Sequence, residues 1–195
     1  MAVSFVYPAG ATPLDPDEAA ELIPRHITTQ AELNEWEAAN ILKAQQWLYA
    51  RLRKDVLSED FVINLHRRMF GETWHWAGKF RRSDKNIGCD WLQIGVKLRD
   101  LLVDVRYWLE HKTYTIDEVA VRFHHRLVAI HCFSNGNGRH ARMMADALLR
   151  EQGAQPFTWG DTDLMNITDA RLQYLLALRE ADCGSIMNLL KFVRE

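Results

Sequence analysis

A mainly α-helical single domain with one small β-hairpin is the fold this sequence predicts, and three observations carry it. Helix-start signatures, a Ser or Thr followed three residues later by an acid or an apolar residue, stand at Thr29, Ser58 and Thr115. Apolar residues then recur at three- and four-residue intervals behind each of them. Between Trp74 and about Gly95 this period breaks into short alternations and turn residues, the pattern of a hairpin-like excursion.

Residues 1–27 read as an extended arm. Four of the five prolines fall before residue 25, with Gly10 among them, a composition that suits turns and extended chain. Asp15-Pro16-Asp17-Glu18 starts at most a short helical turn, which Pro24 ends. Residues 28–195 form the domain. Thr29-Gln30-Ala31-Glu32 is a capping box, and Leu33, Trp36, Asn40, Ile41, Ala44, Trp47 and Leu48 make the stripe of the helix behind it. Ser58 opens a second helix, with Phe61, Ile63, Leu65, Met69 and Phe70 as its apolar set and Gly71 as its stop. A third runs from Val96 to His111. Thr115 or Asp117 caps a fourth, Ile116 to Ile130. A fifth continues through Met144, Ala145, Leu148 and Leu149 until Gly153 and Pro156 prevent it from going on. Asp161 or Thr162 begins a segment with Leu164 and Ile167, and the last two helices span about 169–181 and 185–193.

Composition narrows the function classes. At 195 residues with 48% hydrophobic residues the chain suits one well-filled core. No run approaches the roughly 20 apolar residues of a membrane helix, and the N-terminus lacks the basic start and apolar centre of a signal peptide, so a cytoplasmic protein is expected. Lys and Arg number 24 against 26 Asp and Glu, leaving no overall positive field for direct nucleic-acid binding. Cys89, Cys132 and Cys183 are an odd number at wide spacing, which argues against a disulfide framework.

The densest chemistry lies in Ile130-His131-Cys132-Phe133-Ser134-Asn135-Gly136-Asn137-Gly138-Arg139-His140-Ala141-Arg142. It reads as helix, glycine-broken loop, helix. Gly136 and Gly138 tolerate positive φ and close backbone approach, and the amides that open the second helix attract an anion. Arg139 and Arg142 stand three apart at its first turn, where guanidinium forks suit phosphate oxygens. His131 beside them is a candidate general base. The four histidines His124, His125, His131 and His140 offer no zinc spacing.

This stretch resembles the signature of the Fic/Doc family, H-x-F-x-[D/E]-G-N-G-R-x-x-R, with Asn135 in the acidic position. Trp76-Ala77-Gly78-Lys79-Phe80-Arg81 and the segment Tyr174 to Gly184 resemble other family segments, and the likeness covers about residues 60–195. It implies a Fic-type helical bundle with the core motif at 131–142. It also implies a β-hairpin flap at about 76–95 that pairs with the target's backbone by strand addition. The implied activity is AMP transfer from ATP to a hydroxyl of a protein target. His131 would be the base, Gly136, Asn137 and Gly138 the anion hole, and Arg139 and Arg142 the phosphate clamps. Gly138, where kinase-like relatives carry lysine, favours nucleotidyl transfer.

Asn135 departs from the pattern. The family's acid there holds Mg²⁺, and a neutral amide is a weaker ligand for a hard cation such as Mg²⁺ or Mn²⁺. The departure motivates one other reading, a nucleotide-binding regulatory or interaction module with little turnover; a second, hydrolytic removal of AMP, would need a carboxylate to orient water. Many relatives carry an inhibitory glutamate that pairs with the second motif arginine. Thr28 and Glu32 have its spacing, but Glu32 is a cap partner, so Glu37 is the candidate, paired with Arg142. The motif's ending resembles the branch called mobile mystery protein B. That branch implies a mobile-element setting and a small helix-turn-helix or antitoxin-like partner in a toxin-antitoxin-like pair, while a homodimer stays open.

Overall fold

The computed structural model describes residues 12–161 and 169–195. Among these residues the chain forms α1 (Pro16–Ala20), α2 (Gln30–Tyr49), α3 (Glu59–Phe70), α4 (Ile94–Glu110), α5 (Ile116–Ile130), α6 (Asn137–Glu151), α7 (Asp169–Asp182) and α8 (Met187–Phe192). Three starts are fixed by the expected hydroxyl caps. Thr29, Ser58 and Thr115 accept from the amides of Glu32, Phe61 and Glu118 at 3.3, 3.2 and 3.3 Å. Glu32 reaches back to the Thr29 amide at 3.0 Å and closes the capping box. The segment of Leu164 and Ile167 lies outside the described residues.

α5 and α6 are the central pair, packed on each other along their length. On one side Phe123 and Leu127 of α5 and Met144 and Leu148 of α6 join a core with Leu48 of α2, Phe70 of α3 and Leu98 of α4. On the other, Ala120, Val121, Ala145 and Leu149 meet Tyr174 and Ala177 of α7 and Leu189 and Phe192 of α8. Phe70, Phe123 and Leu148 have no exposed surface, and full burial of such a side chain is worth roughly 1.5–3 kcal/mol. The loop between α5 and α6 is therefore held from both faces.

Two expectations are corrected. On α2 the inward positions are Leu33, Glu37, Asn40, Ala44 and Leu48. Trp36 turns outward, 37% exposed, where its indole donates to the Glu72 carbonyl at 3.3 Å. A carboxylate takes the inward position because it has buried partners, described below.

The β-hairpin is absent. Residues 76–95 run as turns and bends into a 3-10 turn at Trp91–Gln93. The one β-type pairing among the described residues is an isolated bridge, Leu22 with Trp74. The cause is Arg81, whose buried guanidinium donates to the carbonyls of Ser83 at 2.7 Å, His131 at 2.6 Å and Cys89. A side chain thus satisfies oxygens that a strand ladder would otherwise have used.

Candidate active site

His131 ends α5 in the left-handed region, at φ 57° and ψ 62°. A non-glycine residue there is held by its surroundings rather than by preference. Its amide still bonds the Leu127 carbonyl at 3.2 Å, while its own carbonyl accepts from Arg81. Arg81 also bonds Cys132 through its backbone amide, at 3.0 Å to the carbonyl. The end of α5 is thereby fastened to the loop at 81–90.

The ring is 5% exposed. Burial first, then the nearby Arg81 charge, pushes its pKa down to about 4, with a backbone contact at Val128 pulling the other way. It is neutral at physiological pH, the form that accepts a proton. Nε2 lies 3.0 Å from Oγ1 of Thr12, so the arm places a hydroxyl at hydrogen-bond distance from the base.

The loop from 131 to 136 is closed by Asn137. Its side-chain oxygen accepts from the Phe133 amide at 2.9 Å, and its nitrogen donates to the Phe133 carbonyl at 2.7 Å. Phe133 stacks on His66 with centroids 3.7 Å apart. His66 in turn accepts from the Gly78 amide at 3.0 Å, which leaves its other nitrogen to donate to the Asn135 carbonyl at 3.1 Å. Burial and the neighbouring His140 hold the His66 pKa well below the ordinary histidine value.

Gly136 caps α6 at φ 78°. The first intrahelical bond is made by His140 to its carbonyl, at 2.9 Å. The amides of Asn137, Gly138 and Arg139 precede that bond and open the helix N-terminus. A Cβ built on Gly138 meets nothing within 4 Å, so the flank of the first turn is uncrowded at that residue. At Gly136 the same atom would lie 2.5 Å from the buried Phe70 ring. Gly136→Ala is expected to destabilise the domain by about 2–4 kcal/mol, from the left-handed backbone and overpacking together. A shift in urea midpoint at unchanged slope measures it.

The two motif arginines diverge. Arg139 faces α2, where Glu37 accepts from it at 2.6 Å. It also donates to the Asn135 side-chain oxygen at 3.3 Å and lies over the Phe70 ring at 4.8 Å. Glu37, 6% exposed, uses its second oxygen to accept from the Trp74 indole at 2.7 Å. Arg142 faces α7, its guanidinium 5.6 Å from the Tyr174 ring. The expected Glu37 pair is thus made with Arg139 and not Arg142. Positions three apart lie only about 60° from each other around a helix, so the divergence lies in the side chains, one reaching Glu37 of α2 and the other Tyr174 of α7.

Asn135 does not present a cation site in this arrangement. Its side-chain oxygen accepts from the Gly136 amide at 2.6 Å and from Arg139, and its nitrogen donates to the Thr12 carbonyl at 3.1 Å. A neutral oxygen already engaged by two donors, one of them cationic, does not fit Mg²⁺. The neighbouring histidines have separate tasks. His124 bonds the Tyr174 hydroxyl at 3.0 Å, His125 bonds Asp182 at 2.8 Å and His140 bonds the Val62 carbonyl at 3.0 Å.

Three residues that shape the site escape a reading by sequence alone: His66, Arg81 and Thr12. His66 stands at an inward position of α3 beside Leu65 and Met69, which was the one available signal. Arg81 and Thr12 lie in segments without a period; Arg81 closes the family-like stretch Trp76–Arg81, which signals the segment but not its carbonyl-gathering task, and nothing local marks Thr12.

Known proteins match this arrangement. Residues 56–149 match the family described as the Fic/DOC family. A protein adenylyltransferase, fic-1, of Caenorhabditis elegans is 27% identical over 143 residues, 71% of this chain and 27% of that protein. A probable protein adenylyltransferase of Aquifex aeolicus is 33% identical over 152 residues, 73% of this chain and 42% of that protein. The chain spans 26–32% of the length of the animal relatives it matches. Among solved structures, the BepC protein of Bartonella tribocorum with bound AMPPNP superposes at a TM-score of 0.69 and 18% identity, covering 92% of this chain and 97% of that one. Fic-1 of C. elegans superposes at 0.67 and 24% identity, over 91% and 51%. At these identities the superpositions speak for the fold. With His131, the glycine loop and both arginines inside the matched span, the chain carries a Fic/DOC family domain across residues 56–149.

Proposed function

We propose that this domain transfers AMP from ATP to a hydroxyl side chain of a protein target. The observation that carries the reading is the pairing of a neutral, buried His131 with the open N-terminus of α6, one short loop apart. The names of the curated relatives support it, as do the AMPPNP and ADP bound in two of the matching Bartonella structures. In the reaction His131 Nε2 takes the proton of the target hydroxyl as its oxygen attacks the α-phosphorus, and pyrophosphate leaves. The amides of Asn137, Gly138 and Arg139 hold phosphate charge by fixed donors. Arg139 clamps the outer phosphates once Glu37 releases it, and Arg142 supports the same anion from the α7 side. The loop at 81–90 receives the target.

Metal fits this site poorly for the reason given at Asn135, so the residues' roles are derived without it. The Asn135 motif supports membership of the mobile mystery protein B branch. A small helix-turn-helix protein and the modified target would be its partners in the cytoplasm.

ATP labelled at the α-phosphate, offered with Mg²⁺ or Mn²⁺ and a cell lysate, tests the reading. Label on protein is expected; ATP binding by calorimetry without label on any protein would move the assignment to a nucleotide-binding regulatory module. Glu37→Gln, which keeps the shape but not the charge opposite Arg139, is expected to tighten ATP about tenfold. That corresponds to about 1.4 kcal/mol, within the range of one charge-assisted hydrogen bond. Unchanged affinity would show that Glu37 is a structural partner only.

A further inference from the structure

The arm is fastened across the loop at 81–90 by several independent contacts. Lys85, its side chain 3% exposed, pairs with Asp15 at 2.7 Å and Glu18 at 2.5 Å. Ser83 donates to Asp15 at 2.8 Å, and the Trp76 indole donates to the Glu18 carbonyl at 3.1 Å. Backbone bonds from Ile23 to Thr73 at 2.9 Å and from His75 to Glu21 at 3.1 Å hold the stretch behind α1. What this anchoring delivers to the base is Thr12, 6% exposed. Its carbonyl is tied to Asn135 and its hydroxyl lies 3.0 Å from His131 Nε2. Threonine is the class of side chain the proposed reaction consumes, and the distance is that of a proton about to be taken.

We infer that Thr12 is an intramolecular acceptor of AMP, a modification site within the chain; the inference rests on the transferase reading above. The step balances with ATP as the only co-reactant. The Oγ1–H proton passes to His131 Nε2, Oγ1 bonds the α-phosphorus, the bond from that phosphorus to the β-phosphate bridging oxygen breaks, and pyrophosphate leaves. The product is a phosphodiester between Thr12 and adenosine. The arm supplies the hydroxyl, and the amides that open α6 take the phosphates. Because the acceptor is already in place, no encounter between molecules is required.

The test is to incubate the full chain with ATP and map adenylyl groups by fragmentation of the peptide Met1–Arg25, which holds the hydroxyls of Ser4, Tyr7 and Thr12. Modification at Thr12 is expected, with a fraction modified per unit time unchanged on about tenfold dilution of the protein. Thr12→Ser should keep the modification and Thr12→Val lose it, which separates a chemical role from a packing role. Label on a lysate protein while Thr12 stays unmodified overturns this inference and leaves the transferase reading intact. AMP on no protein at all overturns both. A rate that rises with protein concentration overturns the intramolecular route.

Discussion

Replacing His131 with alanine is expected to lower AMP transfer about 10²–10⁴-fold, the usual weight of a positioned general base, and to leave ATP affinity near wild type. The separation follows from geometry. The proposed phosphate donors are backbone amides of α6 and the guanidiniums of Arg139 and Arg142, and no hydrogen bond joins the imidazole to them; its Nε2 meets the Thr12 hydroxyl. Since residue 131 sits at φ 57°, His131→Asn is the companion variant, because asparagine tolerates that backbone. Both variants should give the same loss by α-labelled ATP. Equal weakening of nucleotide binding and transfer would instead assign His131 to the nucleotide pocket.

Acid should unfold this domain sharply between about pH 5.5 and 4. Four histidines are buried: His131 and His140 with pKa values pushed down to about 4, His124 to about 3, and His66 well below its ordinary range. Burial is the leading cause in each. In the unfolded chain all four titrate near 6.5, so below that pH the unfolded state binds protons that the folded state refuses, and stability falls as pH falls. Asp146 works in the opposite direction. Its carboxyl, buried against Trp159 and Phe157, is raised to about 6, so between pH 6 and its unfolded value the folded state binds the extra proton and gains stability. Three histidines are left uncompensated. At about 1.4 kcal/mol per pH unit each, they remove roughly 4 kcal/mol per unit, against the 5–15 kcal/mol that typically hold a domain folded. Urea midpoints at pH 7, 5.5 and 4.5 measure this, and a flat profile across those values would contradict the burial of these rings.

The sequence carried the helices well because their ends are chemical. Thr29, Ser58 and Thr115 act locally, and a hydroxyl three residues before an amide leaves a readable trace. His131 and the glycine loop stand out in the sequence for a similar reason, since general-base and anion-binding chemistry draw on few residue types at close spacing. Glu37 was placed near the site but opposite the wrong arginine. Which face of α6 meets α2 depends on how whole helices cross, and that is settled by packing far from either residue. The outward Trp36 and inward Glu37 invert the hydrophobic rule because a buried carboxylate with two donors, Arg139 and Trp74, is satisfied. The missing hairpin traces to one side chain. Alternating residues at 76–95 announce extended chain, yet nothing in them says that Arg81 will collect the carbonyls.

That collection has an evolutionary consequence. Arg81 grips backbone oxygens of Ser83, Cys89 and His131, groups that every residue type possesses. A Cβ on Gly88 would stand 2.7 Å from that of His131, so Arg81 and Gly88 are the fixed posts of the loop. Arg82 and Ile87 between them are exposed, while Asp84 accepts from the Trp91 amide at 3.0 Å. The lettering of the loop between those posts can therefore be rewritten while the end of α5 keeps its footing.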